Sequence, residues 1–179
     1  MFIDSHCHIN FPELSARLPE LLANMQASQV SHAIVIGVAV QDYPAVLALA
    51  DAHPQFFATV GVHPDGKDVL EWSEDELVER AQHPKVLGIG ETGLDYYHAS
   101  GDLTWQQERF RTHIRAAKRV NLPLIIHTRS AADDTLRILR EEGAQSVGGG
   151  NALFYRVLAC RSSSARPWLL YFVLRDSHV

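Results

Sequence analysis

The segment Asp4-Ser5-His6-Cys7-His8 places two histidines two residues apart at the end of an apolar N-terminal run. If this run is a β-strand, Asp4, His6 and His8 share one face and Cys7 lies on the other. Two imidazoles on one face can bind one metal ion, and the carboxylate can bind the ion or hold a ligand in place. An arbitrary pair of histidines is usually structural, but this pair lies at the strand end where parallel-sheet enzymes place their sites. We therefore interpret the pair as candidate metal ligands.

Three further apolar runs lead into residues that can bind a metal. His63 lies in GVHP, Glu91 in GIGETGLD and His127 in PLIIHTR, with Arg129 two residues beyond. Since the carboxyl ends of parallel strands lie at one edge of a sheet, these positions favour one convergent metal site. Nucleophile chemistry has less support, because the sequence has neither a G-x-S-x-G motif nor a paired-cysteine zinc motif.

The segment at residues 88–95 also matches G-x-G-x-x-G, which binds dinucleotide phosphates in other proteins. That pattern has to open a helix directly, whereas residues 94–101 are polar and typical of a turn. A carboxylate flanked by glycines suits a metal ion better. We therefore expect no nucleotide cofactor.

Short apolar runs alternate with amphipathic stretches along most of the chain. We predict strands within 1–7, 32–38, 56–62, 86–89 and 122–126, and helices within 13–29, 41–52, 73–82, 102–120 and 130–142. This alternation is typical of an α/β protein with a parallel sheet, either an open doubly wound sheet or a closed barrel. A (β/α)8 barrel usually takes about 250 residues. The 179 residues of this chain therefore favour the open sheet, or else a barrel that is incomplete.

The composition indicates one globular domain, with 46% hydrophobic and 21% charged residues. A net charge of -5 argues against broad electrostatic capture of DNA or RNA, although a bound metal ion could still hold phosphates. The two cysteines, Cys7 and Cys160, indicate a reducing compartment. Since we find neither a signal peptide nor a membrane span, we expect a cytoplasmic protein without a membrane partner.

Taken together, these segments resemble the TatD-type metal-dependent deoxyribonucleases of the amidohydrolase-like barrel superfamily. FIDSHCHIN, GVHP, GIGETGLDYY and PLIIHTR carry the resemblance, in this order within residues 1–147. It implies an α/β fold of the (β/α)8 TIM-barrel type, incomplete at about five βα units, and a centre with two divalent ions, Mg²⁺, Mn²⁺ or Zn²⁺. It implies His6, His8, Glu91 and His127 as metal ligands, Glu91 bridging and catalytic, and His63, Asp95 and Arg129 as substrate-binding residues.

The resemblance also implies a reaction, namely phosphodiester hydrolysis of DNA, either single-stranded or at ends. Two nearby ions can activate a water and hold the attacking and leaving oxygens, which reduces the need for basic side chains. An alternative is a metal-dependent hydrolase of a small C–N or ester substrate, because barrels of this superfamily share the HxH segment across chemistries. The fold does not choose between these substrates.

Residues 148–179 show neither strand alternation nor a helical stripe, so we expect residues 1–147 to be a partial barrel followed by an aberrant tail. A one-base shift at the codons of Gly148–Gly150 lets the tail encode VMHCFTES, which looks like the family's next segment with its HCF histidine. We therefore predict that the tail is out of frame. Without the HCF histidine, the second ion would keep only Glu91 and His127 as protein ligands. Because two ligands are too few to fix its geometry, we expect the chain to be a poor nuclease. A third alternative is an inactive fragment, with its first and fifth strands as unpaired edges.

Overall fold

The computed structural model describes residues 1–97 and 100–147, together with the backbone of two strands in residues 153–174. Five parallel strands form a curled half-barrel, which confirms the incomplete α/β barrel expected above. They are β1 (Phe2–Cys7), β2 (Val30–Val35), β3 (Phe56–Val60), β4 (Val86–Asp95) and β5 (Leu124–Arg129). Their order in the sheet follows their order in the chain, so each strand pairs with the next.

Helices connect the strands. They are α1 (Pro12–Ser15), α2 (Leu18–Ala27), α3 (Tyr43–Ala52), α4 (Glu74–Arg80), α5 (Thr104–Val120) and α6 (Ala132–Glu141), followed by a short 3-10 helix at Ala144–Ser146. The first predicted helix is divided into α1 and α2. Pro19 explains the division, because proline has no backbone N–H to continue a helix from α1 and is tolerated only in the first turn of α2, where it lies.

Strands β4 and β5 extend beyond the ends predicted from the sequence, and carry Glu91 and His127 inside the sheet. Glycine makes this possible. A Cβ on Gly93 would lie 2.0 Å from the carbonyl oxygen of His127, and one on Gly90 would lie 2.4 Å from that of Ile125. The φ angles of these two glycines, 137° and 141°, are also unfavourable for other residues. The glycines therefore let β4 approach β5 closely, where the sequence had suggested a loop.

The core lies between the sheet and the helices that cover it. Phe56 and Val60 of β3 pack in one cluster with Phe110 and Ile114 of α5, and all four side chains are buried. Such burial of strand residues is typical of a parallel sheet covered by helices. α5 packs against β4 and β5, and this packing is the support on which the site described below depends.

Two further strands follow, β6 (Leu153–Ala159) and β7 (Trp168–Leu174), in a segment where the sequence shows no regular pattern. β6 pairs parallel to β5, and β7 pairs antiparallel to β6. β5 is therefore not an unpaired edge, contrary to expectation, whereas β1 remains the edge of the sheet. The codon segment Gly148–Gly150 and Cys160 lie outside the described residues. Among the described helices, none has the length and apolar character that a membrane crossing needs.

Candidate metal centre

The end of β1 brings its two histidines into contact. The Nε2 atoms of His6 and His8 are 3.2 Å apart, and the rings meet edge to face. Asp4 does not join them, because its Oδ1 accepts the backbone N–H of His6 at 3.0 Å. Cys7 faces the other way and donates its thiol to the carbonyl of Ile34. Burial, with the nearby Asp4 carboxylate, raises the pKa of the Cys7 thiol to about 12, so this cysteine is protonated and a poor nucleophile.

Glu91 of β4 lies between the histidines of two different regions. Its side chain is 4% exposed, and its Oε2 lies 3.3 Å from His6 Nε2 and 4.0 Å from His8 Nε2. Its other oxygen, Oε1, lies 3.7 Å from Nδ1 of His127. Glu91 therefore offers one carboxylate oxygen to each region, as a bridging ligand must.

His127 and His63 form the second region, from strands β5 and β3. Their rings meet with centroids 4.3 Å apart. Nε2 of His127 lies 2.9 Å from Oδ2 of Asp95, and Nδ1 of His63 lies 3.0 Å from Oδ2 of Asp65. Asp95 thus supports His127 in the way that is usual for histidine ligands, whereas Nδ1 of His63 also accepts the backbone N–H of Asp65 at 3.3 Å.

Within the described residues, two groups of three could each hold an ion, with ligand atoms inside 4.8 Å of one another. The first group is His6, His8 and Glu91, and the second is His63, Glu91 and His127. Tetrahedral zinc–nitrogen bonds place neighbouring ligand atoms about 3.3–3.4 Å apart. The 3.2 and 3.3 Å separations around His6 fit this spacing. Among the residues that the structure describes, the Nδ1 atoms of His6 and His8 are buried without a hydrogen-bond partner.

The charge state of the histidines favours ligation at neutral pH. Burial lowers the pKa of His8 and of His63, so both rings are neutral and keep a lone pair for a ligand bond. Burial also lowers the pKa of His127, but the carboxylates of Glu91 and Asp95 outweigh it and raise the pKa above its ordinary value. An ion at the second group therefore has to displace a more tightly held proton.

The substrate-binding residues predicted from the sequence lie in different settings. Asp95 faces His127, as described above, and its Oδ1 accepts the backbone N–H of Tyr97. The guanidinium of Arg129 lies 3.8 Å from the centre of the Tyr97 ring, and its Nε has no hydrogen-bond partner among the described residues. Of the three predicted substrate contacts, Arg129 has a hydrogen-bond donor that no described residue uses. Asp95 and His63 instead contact His127.

A cavity of about 320 Å³ opens beside the two groups. The ring of Phe11 stacks on His8 at one side of it, with centroids 5.1 Å apart. The cavity gives a substrate access to both groups from one direction. Its lining consists of His8, Phe11, Val38, Ala39, Val62, His63, Asp65, Val69 and Glu91.

Sequence reasoning missed the residues of α5 that support this centre. Arg109 is buried and donates to the carbonyl oxygens of His63, at 2.8 Å, and Gly66, at 3.1 Å. One turn on, His113 accepts the backbone N–H of Val62 through Nε2 at 3.0 Å and donates from Nδ1 to the Arg109 carbonyl. Arg109 and His113 are four residues apart, next to the apolar Phe110 and Ile114, and this spacing could have indicated that they share the buried face of α5. Charged helix residues are usually solvated, however, so the sequence favoured an exposed position.

The G-x-G-x-x-G segment lies inside β4, and the next helix begins at Thr104. The dinucleotide interpretation needs a helix to start directly after the glycines, so this segment does not have the required context. Its glycines serve the close approach of β4 to β5 instead.

Comparison with known proteins agrees with this geometry. The profile of the family described as TatD related DNase matches residues 3–155. An uncharacterized metal-dependent hydrolase of Bacillus subtilis, YabD, is 36% identical over 152 residues, which are 83% of this chain and 59% of YabD. YcfH of Escherichia coli, also an uncharacterized metal-dependent hydrolase, is 34% identical over 154 residues, 82% of this chain and 56% of YcfH.

The half-barrel also matches solved structures. The crystal structure of YjjV, a TatD homolog from Escherichia coli K12, superimposes with a TM-score of 0.69 and 30% identity over 79% of this chain and 56% of YjjV. A TatD family hydrolase of Entamoeba histolytica gives a TM-score of 0.70 at 22% identity, over 82% of this chain and 56% of that protein, and supports the fold. The chain thus spans a little over half the length of the relatives it matches.

Proposed function

Since this chain belongs to the family of TatD-related DNases, we propose that it is a metal-dependent hydrolase that cleaves phosphodiester bonds of DNA. One observation carries the proposal: two groups of three ligand-type side chains share Glu91 at the carboxyl ends of parallel strands. A shared carboxylate brings two ions close together, as phosphodiester cleavage by two metals requires. We infer Mg²⁺, Mn²⁺ or Zn²⁺ as the ions.

Each side chain has a distinct part in this proposal. His6 and His8 would hold one ion, and Glu91, whose Oε2 lies towards those histidines and whose Oε1 lies towards His127, would be shared with the second ion. Asp95 accepts a hydrogen bond from Nε2 of His127 and so leaves Nδ1 to face Glu91. When bound, the ions supply an activated water and neutralise charge on the phosphate oxygens.

The substrate is held without a broad basic surface. Net charge is -5, so affinity for a polyanion has to come from the centre itself and from local contacts. Arg129 is the proposed phosphate contact, because its Nε has no partner among the described residues and its guanidinium is steadied by the Tyr97 ring. We propose single-stranded DNA or DNA ends as the substrate.

Release of nucleotides from single-stranded DNA in the presence of Mg²⁺ or Mn²⁺ tests the proposal. We expect slow release by the full chain, as for the poor nuclease expected from the sequence, and none by the variant Glu91→Gln, which keeps the size of the side chain and removes its charge. Glu79→Gln, on the exposed face of α4, is the matched control. Turnover of a cyclic amide with Zn²⁺, without release of nucleotides, would instead assign the centre to a small C–N substrate.

A further inference from the structure

We propose that a second cavity, next to the metal centre, is a subsite for one nucleobase of single-stranded DNA, and that the base stacks on Trp105. The proposal rests on the proposed cleavage of DNA and adds how the substrate is held. The cavity has a volume of about 390 Å³ and lies between the loop after β3 and the first turn of α5. This volume is in the range of sites that bind small molecules.

The cavity adjoins the metal centre. Asp65 lines both this cavity and the one that opens beside the two groups of ligand-type side chains. Asp95 also lines the second cavity, and its Oδ2 lies 2.9 Å from Nε2 of His127. A base in the second cavity therefore belongs to a nucleotide close in the strand to the phosphate at the centre.

Trp105 supplies a fixed aromatic surface. Its side chain is half-buried and lines the cavity, and the guanidinium of Arg109 lies 4.8 Å from the centre of its ring. That guanidinium is itself buried, because it donates to the carbonyl of His63 at 2.8 Å and pairs with Glu71 at 2.6 Å. A side chain held in this way loses little conformational freedom when a ligand packs on it, so less of the stacking energy is lost to ordering.

The residue after Trp105 fixes the distance between this surface and the metal centre. Oε1 of Gln106 accepts the backbone N–H of Asp95 at 2.9 Å, and its Nε2 donates to the Asp95 carbonyl at 3.0 Å. Gln106 and Asp95 are both buried. The first turn of α5 is thus bonded to the end of β4, and a base on Trp105 stays at a constant position relative to His127.

The charges around the cavity favour a base over a phosphate. Lys67 is the one cationic side chain among the lining residues that the structure describes. Three carboxylates line the cavity as well, those of Asp65, Asp95 and Asp102. Like charges repel a phosphate, whereas a base is neutral and its amino groups can donate to a carboxylate.

Stacking also determines which form of DNA can enter. Every base has an aromatic face, so an indole ring accepts all four bases with little preference for sequence. A base inside a duplex is already paired and stacked, and it has to leave the helix before it can stack on a protein side chain. The subsite therefore favours single strands and frayed ends over intact duplex.

Anisotropy of a short fluorescein-labelled single-stranded oligonucleotide, titrated with the full chain in EDTA, tests the proposal without cleavage. We expect Trp105→Ala to bind about 10- to 100-fold more weakly than the wild type, because the stacking of one base is lost. Trp105→Phe keeps an aromatic face and should regain most of the affinity. Leu136→Ala removes an exposed apolar side chain of α6 and is the matched control, with unchanged affinity expected.

Two further measurements separate stacking from a structural role of Trp105. A sugar–phosphate strand of the same length without bases should bind to the wild type and to Trp105→Ala equally. The unlabelled oligonucleotide should quench the tryptophan fluorescence of the wild type, and this quenching should be absent in Trp105→Phe, which removes the stacked indole.

Three results would overturn the proposal: unchanged affinity in Trp105→Ala, an equal loss of affinity for the strand without bases, or quenching that persists in Trp105→Phe. The outcome is separable from that of the proposed function. Binding that depends on Trp105, without release of nucleotides in Mg²⁺ or Mn²⁺, would contradict the function and leave the subsite standing. Release of nucleotides together with unchanged affinity in Trp105→Ala would do the reverse.

Discussion

The two halves of the metal centre are built in different ways around the same carboxylate. The half at β1 takes both histidines from one strand end, and their Nδ1 atoms have no hydrogen-bond partner in the part of the chain that the structure describes. The half at β3 and β5 takes one histidine from each of two strand regions, and an aspartate contacts each ring. The first half depends on local spacing in the chain, and the second depends on how separate elements pack.

Because of this difference, the two halves depend on different elements of the fold to position their histidines. His6 and His8 are placed by a strand and the turn after it, so their meeting requires little beyond β1. His63 and His127 meet only because β4 separates β3 from β5 by one strand and because α5 holds the loop that follows β3. Changes far from the centre should therefore affect the second half more than the first.

The largest effect is expected for Glu91→Ala, which removes the ligand that the two halves share. We expect both ions to be lost, with affinity reduced well beyond the roughly 100-fold that outer partners contribute. Equilibrium dialysis against Zn²⁺ measures the number of ions bound, with Glu79→Ala as the control. If one half kept its ion in Glu91→Ala, the two halves would be independent sites without a bridge.

His6→Ala combined with His8→Ala separates the halves. We expect loss of the first ion only, because the remaining half keeps His63, Glu91 and His127. The chain should stay folded, since ligands at a strand end contribute more to binding than to packing. Zinc titration with a parallel circular dichroism spectrum checks both statements. Loss of both ions from a folded double variant would contradict independent support of the second half.

Sequence patterns predicted the first half better than the second. The spacing of His6 and His8 is a local signal, and alternation along a strand is enough to bring them together. The end of β4 was missed because glycine usually indicates a turn, whereas Gly90 and Gly93 permit a close strand approach here. The five strands were predicted correctly, since each apolar run is short and separated from the next by an amphipathic stretch. The pattern and the chain length favoured an open sheet, and the incomplete barrel followed from the family resemblance.

The supports of the second half were not predictable in the same way. Arg109 and His113 lie on the buried face of α5, but a charged residue in an amphipathic helix is usually exposed. Their partners are backbone atoms of a loop more than 40 residues earlier. No periodicity in the sequence records such a contact, because it depends on the packing of α5 against β4 and β5.

We expect an effect of intermediate size on the stability of the fold when the pH is lowered, because His113 takes up a proton. Burial lowers the pKa of this histidine from 6.5 to about 4 in the folded chain. As the pH falls below 6.5, the unfolded chain takes up a proton that the folded chain takes up only near pH 4, so stability is lost over this window. For a pKa shift of this size, the free energy of unfolding falls by about 3 kcal/mol.

Urea denaturation between pH 7 and pH 4 measures that loss, with His113→Gln for comparison. Glutamine can still accept the Val62 N–H but does not titrate, so the variant should lose less stability on acidification than the wild type. Equal pH slopes in the two proteins would exclude His113 as the source of the acid sensitivity.

The smallest effect is expected for Asp95→Asn, which alters only the orientation of one ligand. An ionised aspartate can only accept, so it keeps the proton of His127 on Nε2 and leaves Nδ1 to face Glu91. Asparagine can also donate, which would favour the opposite tautomer and place a proton on the ligand atom. We expect the second ion to bind about 10–100-fold more weakly and the first to be unchanged. Zinc titration checks this, with the exposed Asp133→Asn as the control, and equal weakening of both ions would show that the two halves are not supported separately.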